Sequence, residues 1–148
     1  MAPVTRTDPY LNGNFLVEID GISAAAFMEV SGLEASIEVL EYRSGDAKQA
    51  AVQKLPGLHK FTNITLKRGL VQDLSLWNWM QNGINGNLQR AAISIILFDQ
   101  ARNPVWRWNL TNAWPCKWSG PLLKAEGDDV AIETLEICYE NLTASTGT

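Results

Sequence analysis

The chain has 148 residues, of which 46% are hydrophobic and 19% are charged, so it is long enough to form one domain with a well-buried core. Its formal net charge of -4 argues against a protein that binds nucleic acid by neutralising phosphates, because that function requires a basic face. No stretch resembles a signal peptide or a transmembrane helix, so we expect cytoplasmic assembly.

The first thirty residues predict an extended arm followed by a hairpin. Residues 1–12 are polar and contain two prolines, so we expect an arm that a neighbouring molecule orders. Phe15 to Asp20 predicts a strand that ends in an Asp20-Gly21 turn. Ala25 to Ser31 is its predicted hairpin partner.

Leu33 to Arg43 is the longest alternating run of the chain. Its first part places Glu34, Ser36 and Glu38 on a polar face. The alternation then changes phase, because Leu40 and Tyr42 are apolar while their neighbours are charged. Such a change indicates either a bulge within one domain or a strand whose far end packs on another subunit.

Ser44 to Gly57 predicts a connection of unusual length. It is mostly polar, yet the AAV and KLPG stretches within it are apolar enough to require a surface. A long connection in a compact domain is usually either functional or disordered. Two interpretations therefore stay open, a mobile solvated loop and a segment that lies on another surface.

Phe61 to Arg68 predicts a second alternating strand, with Asn63, Thr65 and Lys67 on its polar face. Asp73 has the chemistry of a helix N-cap, and Leu74 to Gln81 follows as a helix that Asn82-Gly83 should end. This helix is apolar over most of its circumference, so we expect a second surface besides one sheet to cover it. Its apolar residues are Leu74, Leu76, Trp77, Trp79 and Met80.

The second half of the chain predicts further antiparallel strands and a polar tail. The predicted strands are Arg90 to Asp99, Val105 to Leu110, Ala113 to Trp118 and Val130 to Glu140. Thr111-Asn112 is predicted to be a turn, Pro115 to mark an edge or a bulge, and residues 143–148 to be frayed. The chain is thus one domain, residues 1–148, and mainly β: an antiparallel β-barrel or sandwich with one short α-helix packed on it.

The sequence contains no catalytic motif, and we predict neither a metal site nor a cofactor. Gly-x-Ser-x-Gly, P-loop and Gly-x-Gly-x-x-Gly patterns are all missing from it. His59 lies in a predicted turn, and Asp128 with Asp129 forms a solvated acidic turn rather than a catalytic pair. Cys116 and Cys138 are expected to be free thiols, which is typical of a reducing cytosol.

Several segments together resemble one family, the tail-tube proteins of contractile phages and in particular the inner-tube proteins of phage-tail-like contractile injection systems. The segments are VSGLEASIEVLEYRSGD, KLPGLHKFTNITLKRGL and DLSLWNWM. The resemblance extends over roughly residues 8–142. Its most specific part is residues 32–80, and it implies an architecture rather than a reaction.

The resemblance implies a fold shared with the secreted ring protein of type VI secretion. It also implies hexameric rings with a shared inner β-barrel, which stack into a tube inside a contractile sheath. The implied partners are further copies of the chain, sheath protein, baseplate and spike-hub proteins, a cap or terminator protein, and cargo in the lumen, either effector protein or DNA, without specific nucleic-acid binding. The implied location is the cytoplasm during assembly and then a released extracellular particle, a virion or a cell-anchored machine.

The resemblance also implies roles for particular residues, with 44–57 as an inter-subunit and inter-ring loop. The expected inter-subunit contacts are Glu41, Tyr42, Arg43, Gly45, Asp46, Val52, Lys54, Leu55, Pro56, Gly57, Trp77 and Trp79. The candidate lumen-facing residues are Glu34, Ser36, Glu38, Asn63, Thr65 and Lys67. The alternative hypothesis is a monomeric β-barrel binding module that uses exposed tryptophans.

Overall fold

The computed structural model describes residues 8–43, 45 and 52–147, which contain ten strands and one helix. The strands of the first half are β1 (Phe15–Ile19), β2 (Ile22–Ala25), β3 (Glu29–Ser31), β4 (Ala35–Tyr42), β5 (Gln53–Phe61) and β6 (Ile64–Gly69). The helix α1 (Ser75–Ile84) follows, and then β7 (Ala91–Phe98), β8 (Pro104–Ser119), β9 (Ile132–Cys138) and β10 (Asn141–Thr146). All strand pairs are antiparallel, which confirms the predicted fold class.

One strand, β8, connects the two halves of the main sheet. The strand order is β2-β1-β7-β8-β9-β6-β3, with β10 also paired to β8. The first part of β8 pairs with β7 and β10, and its last part pairs with β9. A strand that changes sheets in this way forms the corner of an orthogonal β packing.

The predicted turn at Thr111-Asn112 is wrong, because the chain continues through it as strand β8. Asn112 has a φ of 51°, a left-handed conformation that asparagine tolerates. It changes the direction of the strand without reversing it. The predicted irregularity at Pro115 is confirmed, since the register of β8 and β9 shifts between Pro115 and Lys117.

The predicted hairpin partner of β1 is also wrong. The residues immediately after the Asp20-Gly21 turn, Ile22–Ala25, form the partner strand, because so tight a turn brings the next residues beside β1. Glu29–Ser31 lies instead beside β6, and Gly32 with a φ of 90° follows it.

The tail is ordered rather than frayed. Asn141–Thr146 forms β10 along β8, and Leu142 lies opposite Leu110. The reason is that β8 is longer than β7 and β9 need, so its free edge provides hydrogen-bonding groups that a short extended tail can satisfy. Thr148 lies outside the described residues.

The predicted connection 44–57 is shorter than expected, because β5 already begins at Gln53. The Pro56-Gly57 pair is part of a strand and does not form a turn. Proline is compatible with a strand at an edge. Residues 44 and 46–51 lie outside the described residues, and the predicted arm is described only from Asp8.

The core lies between the sheets and under α1. Its residues are Val17, Ile19, Ile64, Leu66, Leu76, Trp79, Ile93, Ile95, Leu110, Ala113, Leu135 and Ile137. The predicted cap is confirmed in its chemistry, because Asp73 Oδ1 accepts the Ser75 backbone N–H at 3.0 Å. The predicted end is wrong, since α1 continues past Asn82-Gly83 to Ile84.

Candidate assembly surface

Strands β4 and β5 form a two-stranded ribbon apart from the main sheet. Among the described strands they pair only with each other. Their register places Leu40 opposite Leu55 and Glu41 opposite Lys54, so the ribbon carries at least one opposite-charge pair. An isolated two-stranded ribbon is only marginally stable in water. The β4–β5 ribbon therefore requires a surface that one subunit does not provide.

Both faces of the β4–β5 ribbon are exposed and partly apolar. Every residue of β4 is exposed, although half of that strand is apolar or aromatic. Large hydrophobic side chains with at least a third of their surface exposed are Ile37, Val39, Leu40, Tyr42, Val52, Leu55 and Leu58. A patch of this kind is typical of a protein–protein interface.

The change of phase in β4 coincides with a bulge in the β4–β5 ribbon. Ile37 lies opposite His59 whereas Val39 lies opposite Pro56, so β5 has one more residue than β4 in this interval. Gly57 sits in the bulge, where an added Cβ would lie 3.1 Å from the Glu38 carbonyl oxygen. Leu58 is the most exposed large side chain of the ribbon, at 79%. Both sequence interpretations thus hold in part: a bulge is present, and the strand leaves the core.

The predicted contact residues separate into two groups in the structure. The ribbon brings together Glu41, Tyr42, Arg43, Val52, Lys54, Leu55, Pro56 and Gly57. Gly45 lies in a turn beyond β4, and Asp46 is outside the described residues. Trp77 and Trp79 are on α1 instead, apart from the ribbon.

The two helix tryptophans pack within the subunit. Trp79 is 5% exposed, and its Nε1 donates a hydrogen bond to the Gln89 carbonyl oxygen at 2.7 Å. It is therefore a core residue, and its predicted role as an inter-subunit contact is wrong. Trp77 is half-buried, and its ring contacts Trp118 edge-on with 4.9 Å between centroids. The second surface of α1 consists instead of its exposed ends, Leu74 and Ile84.

The polar face of β6 lies on the outside of the sheet, as its alternation predicts. Asn63 Nδ2 donates to Glu136 Oε1 at 3.3 Å, and Lys67 Nζ lies 3.3 Å from Glu29 Oε2. Glu34, Ser36 and Glu38 are exposed on the other segment with candidate lumen residues. Both segments therefore present polar side chains to whatever lies outside the subunit.

A buried ionic network fixes α1 to the sheet, and the sequence analysis did not predict it. Arg68 and Glu133 are each 3% exposed, and Arg68 Nε donates to Glu133 Oε1. Glu133 Oε2 accepts from Trp118 Nε1 at 3.2 Å. On the other side, Arg68 Nη2 donates to the Asp73 carbonyl oxygen at 2.9 Å. Hydrogen bonds from the Ser75 backbone N–H and hydroxyl and from Arg68 lower the pKa of Asp73.

The charge pattern contains a signal for this network. Arg68 has the same parity in β6 as Ile64 and Leu66, and Glu133 has the same parity in β9 as Leu135 and Ile137. A charge at a core-facing position usually requires a partner of opposite sign. The register then places Arg68 directly opposite Glu133.

The tryptophans and the titratable groups do not form an alternative site in the part of the chain that is described. All six tryptophans lie in that part, and each is buried or half-buried. No group of three histidine, cysteine, aspartate or glutamate side chains could hold a metal ion there. The described residues also include no helix long and apolar enough to cross a bilayer.

The two cysteines are half-buried free thiols on neighbouring strands. Cys138 Sγ lies 3.8 Å from the Trp114 carbonyl oxygen, and burial raises the pKa of its thiol to about 11. Burial and the nearby Glu136 carboxylate also raise the pKa of Cys116. Both groups are therefore weak nucleophiles at neutral pH, which is the opposite of a catalytic thiol.

Comparison with known proteins identifies the family. The model of the T4-like virus tail tube protein gp19 family matches residues 11–143. The chain belongs to this tail tube family. It is accordingly a structural tube subunit, and the binding-module alternative is not favoured. No curated protein sequence matches the chain at a significant level.

Solved structures similar to this tail tube protein come from contractile particles. A chain of the anti-feeding prophage baseplate is 26% identical, with 95% of this chain and 97% of that chain covered and a TM-score of 0.85. A chain of the PVC extracellular contractile injection system, in the extended sheath-tube complex, is 27% identical, with 93% and 92% covered and a TM-score of 0.83. Hcp1 from Flavobacterium johnsoniae is 14% identical, with 90% and 96% covered and a TM-score of 0.59, which shows the fold alone.

Proposed function

We propose that six copies of this tail tube protein form a ring, and that the rings stack into a rigid hollow inner tube. Contraction of a surrounding sheath would drive this tube through a target envelope. The observation that carries the proposal is the β4–β5 ribbon, which exposes apolar side chains on both faces and pairs with no other described strand.

The physical argument concerns what the ribbon lacks in a single subunit. Three or more strands, or packing on a helix, are usually needed for a stable sheet. Ribbons from several copies placed edge to edge would supply these strands and leave no free edge once the ring closes. Burying one fully exposed leucine, isoleucine or valine contributes about 1.5–3 kcal/mol, so several such side chains would give a ring considerable stability.

The polar residues Glu34, Ser36, Glu38, Asn63, Thr65 and Lys67 are proposed to face the lumen. Their exposure on the ribbon and on the outer face of β6 supports this assignment. A channel that conducts folded protein or DNA needs a hydrated wall without strongly binding apolar patches. Labelling a Thr65→Cys variant with a maleimide-gold cluster tests it, since the gold should appear on the tube axis in electron micrographs and not on the outer surface.

The proposed partners are further copies of the chain, a sheath protein, baseplate and spike-hub proteins, a cap or terminator, and cargo in the lumen. Similarity to chains from a sheath-tube complex and a baseplate supports the first three. The proposed setting is an extracellular particle, a virion or a cell-anchored machine assembled in the cytoplasm. No enzymatic activity is proposed, because tail tube proteins have a structural role.

Assembly of the purified protein tests the proposal directly. The wild-type chain should give rings or tubes by negative-stain electron microscopy and hexamers by sedimentation velocity. An Ile37→Thr/Val39→Thr variant should remain folded but monomeric, because both side chains are about 60% exposed in the subunit. The matched control, Ile37→Leu/Val39→Leu, keeps the apolar surface and should assemble. A wild-type protein that stays monomeric at high concentration would contradict the proposal.

A further inference from the structure

A second exposed apolar surface lies on the loop between β8 and β9. Leu122 is 91% exposed, Leu123 is 82% exposed and Val130 is 74% exposed. A groove of about 510 Å³ opens beside them, with Pro121 in its wall. Nothing in the described part of the subunit fills this groove, and three such side chains in one patch are more than a free surface normally carries.

The β8–β9 groove and the β4–β5 ribbon lie at opposite ends of strand β6. At the start of β6, the Thr62 hydroxyl donates to the Gly32 carbonyl oxygen at 2.9 Å, which fixes the base of the ribbon. At its other end, the Leu70 N–H donates to the Ala131 carbonyl oxygen at 2.8 Å, beside the groove. A strand of this length spans about 20 Å. The two apolar surfaces thus point to a head-to-tail contact between copies and not to a contact within one subunit.

The charges of the two surfaces are complementary. Residues 120–131 carry one lysine, Lys124, and three acidic residues, Glu126, Asp128 and Asp129, which gives +1 and -3, or -2 in total. Strand β5 carries Lys54 and Lys60 and no acidic residue, which gives +2. Complementary charges favour one orientation of approach and suppress the alternatives.

We propose that the β8–β9 groove receives strand β5 of a second copy of this chain. Leu58 of one copy enters the groove beside Leu122, Leu123 and Val130 of the next copy. Lys54 and Lys60 then face the acidic side chains of residues 126–129. A contact between two different surfaces that does not close on itself generates an open stack of subunits. The inference rests on the proposed tube function and assigns it a ring-to-ring contact.

A charge swap tests this contact. Asp128→Lys/Asp129→Lys should leave rings but remove tubes, with at least about a tenfold higher protein concentration needed for pelleting, because like charges would then face each other. Lys54→Asp/Lys60→Asp should have the same effect, and combining all four substitutions in one chain should restore tubes. The measurements are ultracentrifuge pelleting and negative-stain electron microscopy, with tryptophan fluorescence and circular dichroism to confirm the fold.

Two further variants separate charge from contact. Glu18→Lys/Asp20→Lys changes the net charge by the same amount on the exposed residues of another sheet edge, so it should leave the tubes intact. Leu122→Ser/Leu123→Ser keeps every charge and should also remove tubes. Tubes that form normally from the loop variants would overturn the inference, as would loss of sheath binding alone. A wild-type chain that forms neither rings nor tubes would instead contradict the proposed function.

Discussion

The network of Arg68 and Glu133 should dominate the stability of the subunit, and a double-mutant cycle can measure it. Both side chains are 3% exposed, so removing one leaves a charge with little access to water. Breaking a buried ion pair from one side costs about 3–5 kcal/mol. Glu133→Leu additionally removes the acceptor of Trp118 Nε1. We therefore expect Glu133→Leu and Arg68→Met each to lower the free energy of unfolding by at least about 3 kcal/mol.

The double variant should recover much of this loss. Replacing both members of a buried pair by apolar residues of similar size is often neutral or stabilising, and the Asp73 carboxylate, with a side chain that is 37% exposed, can then be hydrated. The coupling energy should be about 2 kcal/mol or more. Urea unfolding followed by tryptophan fluorescence gives all four values, at a concentration where sedimentation shows one oligomeric state. A coupling energy below about 0.5 kcal/mol would refute the reasoning.

Three further predictions concern single side chains. Asp73→Asn should weaken the start of α1 by about 0.5–2 kcal/mol at neutral pH; because the pKa of Asp73 is lowered in the folded state, this contribution should be present above the ordinary aspartate pKa of 3.8 and be lost as the pH falls below it, so a difference in unfolding free energy that is constant down to strongly acidic pH would contradict it. In a Cys116→Ser background, Cys138 should react with a disulfide reagent at pH 8 roughly two hundredfold more slowly than a free thiol, since its pKa is about 11; labelling at the rate of a free thiol would show that the site is open. Trp79→Phe should cost about 0.5–1.5 kcal/mol through loss of the bond to Gln89, and an assembly defect without loss of stability would instead restore Trp79 as an interface residue.

Local patterns in the sequence predicted the elements that bury one face in this subunit. Ile64 and Leu66 alternate with polar residues and lie in the core as expected. Ile93, Ile95 and Ile96 are buried, which confirms the prediction that both faces of that strand are covered. The chemistry of Asp73 as a helix cap also follows from the sequence. In these cases a short-range pattern and the long-range packing require the same arrangement.

The errors occurred where long-range pairing overrides a local signal. Thr111-Asn112 has turn composition, but β7, β9 and β10 hold the chain on both sides of it as one strand. Pro56-Gly57 likewise has turn composition, yet it forms part of an edge ribbon with a bulge. The polar tail after Asn141 carries no strand pattern of its own, and only the free edge of β8 makes it a strand. Composition alone cannot reveal such edges.

The candidate surface was predicted in part. Glu41 to Gly57 was expected to contain intermolecular contacts, and the exposed ribbon is consistent with that hypothesis. The tryptophans of α1 were harder to assign, because a helix that is apolar on several sides can be covered by its own domain. Trp79 is covered in this way, by the chain around Gln89. The pairing of Arg68 with Glu133 required the register between two strands far apart in sequence, which no local pattern supplies.

The shared strand β8 also has a mechanical consequence. It contains 16 residues, or about 50 Å of chain, and it is hydrogen-bonded to β7, β9 and β10 along its length. A force that pulls the two sheets apart along this strand loads many hydrogen bonds in parallel instead of opening them one at a time. A protein pushed end-on through an envelope would thereby transmit thrust through a covalent element, and the bend at Asn112 would be the first place where that element yields.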